Sequence, residues 1–131
     1  MDSKELGVLG EKLACEYLVR KEYRILGKNW ENNFGEIDII AKKKWKLFGI
    51  KDKTIHFVEV KTSFAGNNNF SPEERVDYKK QNKYKKLTEI WLEKNKYPQN
   101  IPYQVDVISV LVDSINKKGQ IRFFNNIVSE K

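Results

Sequence analysis

One cysteine and one histidine in 131 residues leave this chain little sulfur or imidazole chemistry. Cys15 alone excludes an internal disulfide, and together with His56 it falls short of the common zinc-site spacings. The acid, base and metal-binding groups of any enzyme built on this chain therefore come mainly from Asp, Glu, Lys and backbone oxygens. No apolar run approaches the roughly eighteen residues that a membrane span needs. The start, MDSKELGVLGEK, has acidic and polar residues where a secretory peptide needs an unbroken apolar stretch after a basic opening. A cytoplasmic protein with no membrane partner is expected.

Aliphatic and aromatic residues make up 40% of the chain, too many for a disordered protein. The length suits a single domain over residues 1–131 with one real core. Net charge is +7 and the pI is about 9.4. Four arginines among 25 basic residues leave 21 lysines, a positive field that attracts polyanions and makes nucleic acid a natural partner. Biased codon usage would account for the lysines equally well.

Hydrophobic periodicity predicts the order helix, three strands, long helix, two strands. Ser3 can cap a helix reaching about Lys21, with Leu6, Leu9, Gly10, Leu13, Ala14 and Tyr17 on one stripe and Glu11 at its border. YRILGKNW (23–30) reads as a strand, NNFG (32–35) as a turn, and GEIDIIA (35–41) as a strand with Glu36, Asp38 and Ile40 on one face and Ile37, Ile39 and Ala41 on the other. The lysine-rich stretch that follows is expected to be an extended hairpin tip with its lysines in solvent. HFVEVKT (56–62) is the third strand, with Phe57, Glu59 and Lys61 sharing a face opposite Val58 and Val60. Ser71, Pro72 and Glu74 are a good helix start, and the helix should reach about Lys94. Its apolar face is Val76, Tyr84, Leu87, Ile90 and Trp91, with Lys80 in the middle of that stripe and Lys83 on its border. A lysine so placed must snorkel or find a negative partner. YQVDVISVLV (103–112) and IRFFNNIV (121–128) read as the last two strands.

An acidic and a basic residue on one face of an apolar strand require an explanation. If the second and third strands pair, Asp38 and Glu59 project side by side and could share one divalent cation, with the Val60 carbonyl as a further oxygen ligand. Mg²⁺ or Mn²⁺ suits such hard donors. Lys61 would then lie beside the ion's waters, placed to position a nucleophile or offset charge on a phosphate. A solvent-facing strand that merely alternates Glu and Lys is the plain alternative, and the Asp38 on a second apolar strand weighs against it.

GEKLACEYL at 10–18, NW at 29–30, GEIDIIA, FVEVKT, Val76 with Lys80, and VDV at 105–107 together resemble the small uncharacterised bacterial YraN-like family. That family is placed in the PD-(D/E)XK, or restriction-endonuclease-like, superfamily and is similar to archaeal Holliday junction resolvases. The resemblance implies an α/β fold with a mixed central sheet flanked by helices, and metal-dependent phosphodiester hydrolysis in DNA, branched DNA included. By position it implies that Asp38, Glu59 and Lys61 are the core triad. It likewise implies that Glu11 is an additional acid at the metal site and that Lys80 contacts the carboxylates or a DNA phosphate; Lys83, on the border of the same helix face, is expected to be a second nucleic-acid contact.

Ser63 and Gln104 stand where the resemblance leads one to expect arginines, and the lysine-rich tip is long. A surface helix position would explain Glu11 without any site. Glu36 is expected to be a strand-start carboxylate, Asp106 to satisfy a structural hydrogen bond or pair with a basic residue, His56 to be a strand-edge residue and Cys15 simply a helix position. A non-catalytic nucleic-acid-binding accessory protein is the main competing function. A protein-interaction domain presenting Trp45, Phe48 and Phe124 is a further one. A homodimer is suggested by similarity to resolvases.

Overall fold

Residues Ser3–Arg20 form helix α1 in the computed structural model, which describes residues 2–44, 46–47, 49–64, 78–113, 115 and 118–125. The cap is Asp2 rather than Ser3. Its carboxylate accepts the Glu5 amide N–H at 2.8 Å, satisfying one of the donors a helix start leaves unmet, while Ser3 already lies inside the first turn. Leu6, Gly10, Ala14 and Leu18, spaced by four, are the buried stripe.

Strands β1 (Tyr23–Asn32) and β2 (Gly35–Lys43) form the expected hairpin. Its turn is held by the Phe34 N–H donating to Asn32 Oδ1 at 2.8 Å, and Gly35 takes a φ of 145° that other residues rarely adopt. The tip contains two short strands, β3 (Lys46–Leu47) and β4 (Ile50–Lys51), paired with each other. Then come β5 (Ile55–Phe64), helix α2 (Tyr78–Lys94), β6 (Tyr103–Asp113) and β7 (Lys118–Phe124). The five long strands form one mixed sheet in the order β1-β2-β5-β6-β7, with β5 and β6 parallel and the other neighbours antiparallel. This is the expected architecture, with the small β3–β4 ribbon added. The predicted start of the second helix at Ser71, Pro72 and Glu74, and Val76 with it, lie outside the described residues, as do Trp45 and Phe48.

Each helix covers one face of the sheet. Against α1 pack Ile39, Ala41, Val58, Ile108 and Val110. Against Tyr84, Leu87, Trp91 and Leu92 of α2 pack Ile37, Ile40, Ile55, Phe57 and Val105. The strict alternation expected along GEIDIIA is therefore broken, because Ile37 and Ile40 share a side. The break falls at Asp38, opposite Asn29, whose φ of 50° interrupts the regular pleat between the Lys28–Ile39 and Trp30–Ile37 pairs.

Two further expectations need correction. Lys42 and Lys43 are half-buried rather than spread in solvent, and with Arg24, Lys44 and Lys51 they surround one hollow. His56 is not a strand-edge residue. It is 2% exposed, on the central strand β5, with Nδ1 2.7 Å from Asp106 Oδ2 and its ring edge-on to Tyr23. Gln104 Nε2 donates to the other Asp106 oxygen at 2.8 Å, so a neutral amide occupies the position where an arginine was expected. Asp106 thus has the structural bonding role read for it. Cys15 packs at the margin of the α1 core, where burial raises its thiol pKa. Among the described residues no helix is long and apolar enough to cross a membrane.

Candidate functional site

The sheet forks. β2 and β5 pair only through Ile39–Val58, Ile40–Phe57 and Ala41–His56, after which β2 stays with β1 down to Gly35 while β5 follows β6 out to Phe64. One residue past the last rung, Asp38 comes opposite Glu59. Asp38 Oδ2 accepts the Val60 amide N–H at 2.8 Å, reaching across the crotch of the fork. Asp38 and Glu59 then line a cleft of about 310 Å³ with Glu31, Asn32, Gly35 and Glu36 of the β1–β2 hairpin and Lys83, Tyr84 and Leu87 of α2.

Burial and the negative charges of Glu11, Glu36 and Glu59 push the Asp38 pKa up to about 6, against the opposing effect of the Val60 hydrogen bond. A carboxylate so placed is costly to ionise unless a positive charge arrives. Glu11 belongs to this electrostatic group although it lies on α1, and Gly10 explains how. A side-chain carbon on Gly10 would meet Thr62 Oγ1 of β5 at 1.9 Å, so only glycine lets α1 seat this closely on the strand that carries Glu59.

Val60 packs into the α1 core, and its amide is the group that holds Asp38. Lys61 follows Glu59 by two positions on β5, which places it on the same side, half-buried and paired in the ladder with Ser109. Lys83 is exposed at the cleft mouth, its side chain lying over Gly35, where an added carbon would come 2.6 Å from Cε and 3.1 Å from Nζ. One turn away, Lys86 Nζ sits 4.0 Å from the centre of the Phe34 ring, so α2 clasps the hairpin turn through two lysines. Lys80 lies in the first turn of α2, and its side chain is outside the described residues.

Tyr84 is the site residue that pattern reading assigned only to the apolar face. It is buried, its side chain hydrogen-bonds Glu59, and burial with the nearby carboxylates raises its pKa strongly. The available signal was its hydroxyl, since a tyrosine on a buried stripe needs a polar partner. Among the described residues no three His, Cys, Asp or Glu side chains are grouped closely enough to hold a metal ion. Glu11 therefore acts on Asp38 through its charge, and the expected three-carboxylate ligand set with Asp38, Glu59 and Glu11 is not assembled. Asp38 and Glu59 stand together in the cleft.

Residues 10–110 match the model of an uncharacterised protein family, UPF0102. A UPF0102 protein of Campylobacter lari is 42% identical over 117 residues, covering 89% of this chain and 93% of its own. Another, from Caldicellulosiruptor bescii, is 36% identical over 126 residues, covering 96% and 98%.

Proposed function

The chain belongs to the uncharacterised family UPF0102, and we propose that it is a Mg²⁺- or Mn²⁺-dependent nuclease hydrolysing phosphodiester bonds in DNA. Membership bears out the family resemblance of the motifs; assignment to the PD-(D/E)XK superfamily is part of the proposal. The observation that carries it is the meeting of Asp38 and Glu59 at the fork, in a cleft that also takes Lys83 at its mouth.

The donor set fits a hard divalent cation. Mg²⁺ is commonly held by one or two carboxylates plus substrate phosphate oxygens and water, so a pair of acids suffices without a third. Asp38 and Glu59 would hold the ion, with the Val60 carbonyl as a further oxygen donor. When bound, such an ion supplies charge neutralisation at the phosphate and a more acidic water. The chain's own groups have separate tasks. Val60 N–H fixes the Asp38 carboxylate, Tyr84 fixes Glu59, and Lys61 offsets negative charge on the phosphate or orients the attacking water. Lys83, and Lys80 one turn before it, contact the DNA backbone. Branched DNA as substrate and a homodimer cutting two strands extend the reading by similarity to resolvases.

The test is incubation of branched, single-stranded and linear duplex DNA with Mg²⁺, Mn²⁺ or EDTA. Metal-dependent cleavage is expected from the parent, with Asp38→Asn and Glu59→Gln inactive. Survival of every substrate, or cleavage by both variants at the parent's rate, sinks the reading. Binding without cleavage would favour the second reading, a non-catalytic nucleic-acid-binding accessory, to which the net charge of +7 also speaks.

A further inference from the structure

At the other end of β1 and β2 from the carboxylate cleft, Arg24, Lys42, Lys43, Lys44 and Lys51 line a hollow of about 370 Å³. Every lining side chain is cationic, and none of them lines the acidic cleft. Arg24 and Lys42 are direct cross-strand partners, an arrangement in which like charges repel at close range. Lys51, delivered by the β3–β4 ribbon, lines the same hollow as Lys42. Ammonium groups carry donors and no acceptor, so the two lysines bring no acceptor of their own to the hollow. Burial together with Lys51, Arg24 and Lys53 lowers the Lys42 pKa. Asp52 Oδ2, 4.0 Å from Lys43 Nζ, offsets part of the charge, and among the described residues it pairs with no other cation of the group.

We propose that this hollow is a phosphate-binding site in which Arg24, Lys42 and Lys51 grip one phosphate group, that of the DNA backbone. An anion seated there supplies the missing acceptor to both lysines and the neutralising charge to the cross-strand pair. The site itself rests on the cation geometry alone; its assignment to DNA rests on the function proposed above. Ile40 packs against α2, so alternation puts Lys42 on that same side of β2. Lys42 is four residues from Asp38, about 13 Å along the strand at roughly 3.3 Å per residue. That spacing equals about four base-pair steps of 3.4 Å each, so one duplex can reach both places. The hollow would then anchor the backbone away from the bond at the cleft.

The experiment measures binding of a labelled duplex of arbitrary sequence in EDTA across a range of salt, where neither metal nor cleavage enters. Lys42→Gln/Lys51→Gln is expected to weaken binding several-fold and to flatten the plot of log affinity against log salt by up to about one, the contribution of the single phosphate they grip. Lys42→Arg/Lys51→Arg should bind like the parent. Lys4→Gln/Lys12→Gln, which removes the same charge from the exposed face of α1, is the control. A loss no greater than the control's overturns the proposal. In a second arm, thermal unfolding is compared in sodium phosphate and sodium chloride at equal ionic strength, with phosphate expected to protect the parent and not the glutamine variant. Phosphate protection with unchanged DNA affinity would assign the hollow to a small phosphorylated solute and overturn the DNA assignment. A parent that binds through the hollow but cuts nothing with Mg²⁺ or Mn²⁺ would uphold this inference while sinking the nuclease reading.

Discussion

Asp38 Oδ2 accepts the Val60 amide N–H at 2.8 Å, and a side chain thereby supplies the rung that the ladder between β2 and β5 no longer provides. The bond favours the ionised carboxylate. Burial and three neighbouring acids outweigh it, and the pKa stands near 6.

A pH dependence of stability follows. The unfolded chain releases the Asp38 proton near its ordinary value of about 3.9, the folded chain near 6, so between those values the folded state holds more protons. Stability from this group is present below about pH 4 and falls as pH rises through 6. Asp38→Asn should remove that loss, on the order of 3 kcal/mol, and raise the melting temperature at pH 7 to 8 without added metal. Calorimetric melts of both proteins from pH 4 to 8 check it; parallel curves would contradict the environment described for Asp38.

Much of this arrangement was legible in the residues, and the gaps have physical causes. Element order and the pairing of GEIDIIA with FVEVKT follow from period-two patterning, which brought Asp38 and Glu59 together. The pleat break at Asp38 was not legible, because it depends on the conformation of Asn29 on the partner strand. Tyr84 and His56 were read as a packing residue and a strand-edge residue because their partners, Glu59 and Asp106, are distant in sequence. Asp2 was passed over for Ser3, a one-residue ambiguity that propensity cannot resolve when two good capping residues are adjacent.

Tyr84→Phe should leave the fold intact and lower stability by about 1 kcal/mol for the lost hydrogen bond. Groups that orient a metal-binding carboxylate typically matter by about 10- to 100-fold in affinity or rate. Titration calorimetry with Mn²⁺ should therefore show weaker binding in the variant, and an unchanged affinity would remove Tyr84 from the site.

Gly10→Ala places a methyl where Thr62 already is. Overpacking of this kind costs about 1–3 kcal/mol and should lift α1 away from β5. Since Glu11 travels with α1, the Asp38 pKa, followed by carboxyl NMR titration, should drop toward its ordinary value as well. Retention of both stability and pKa would mean that Glu11 reaches Asp38 by some other route.

Asp106→Ala leaves His56 Nδ1 and Gln104 without their carboxylate in the core beneath α1. Removing one partner from a buried polar network costs about 3 kcal/mol or more, which urea unfolding would read directly. The Mn²⁺ affinity should survive in whatever fraction remains folded, because the acidic cleft lies on the other side of the sheet. Loss of metal binding in the folded fraction would tie Asp106 to the site.

The parallel pairing of β5 with β6 has a kinetic consequence. Its strands are separated in sequence by the whole connection that carries α2, so the chain must close a long loop before the first of these contacts forms. The β1–β2 and β6–β7 hairpins close locally and early by comparison. Tyr84 and Lys83 ride on that long connection, so completion of the cleft walls is expected to follow the local hairpins.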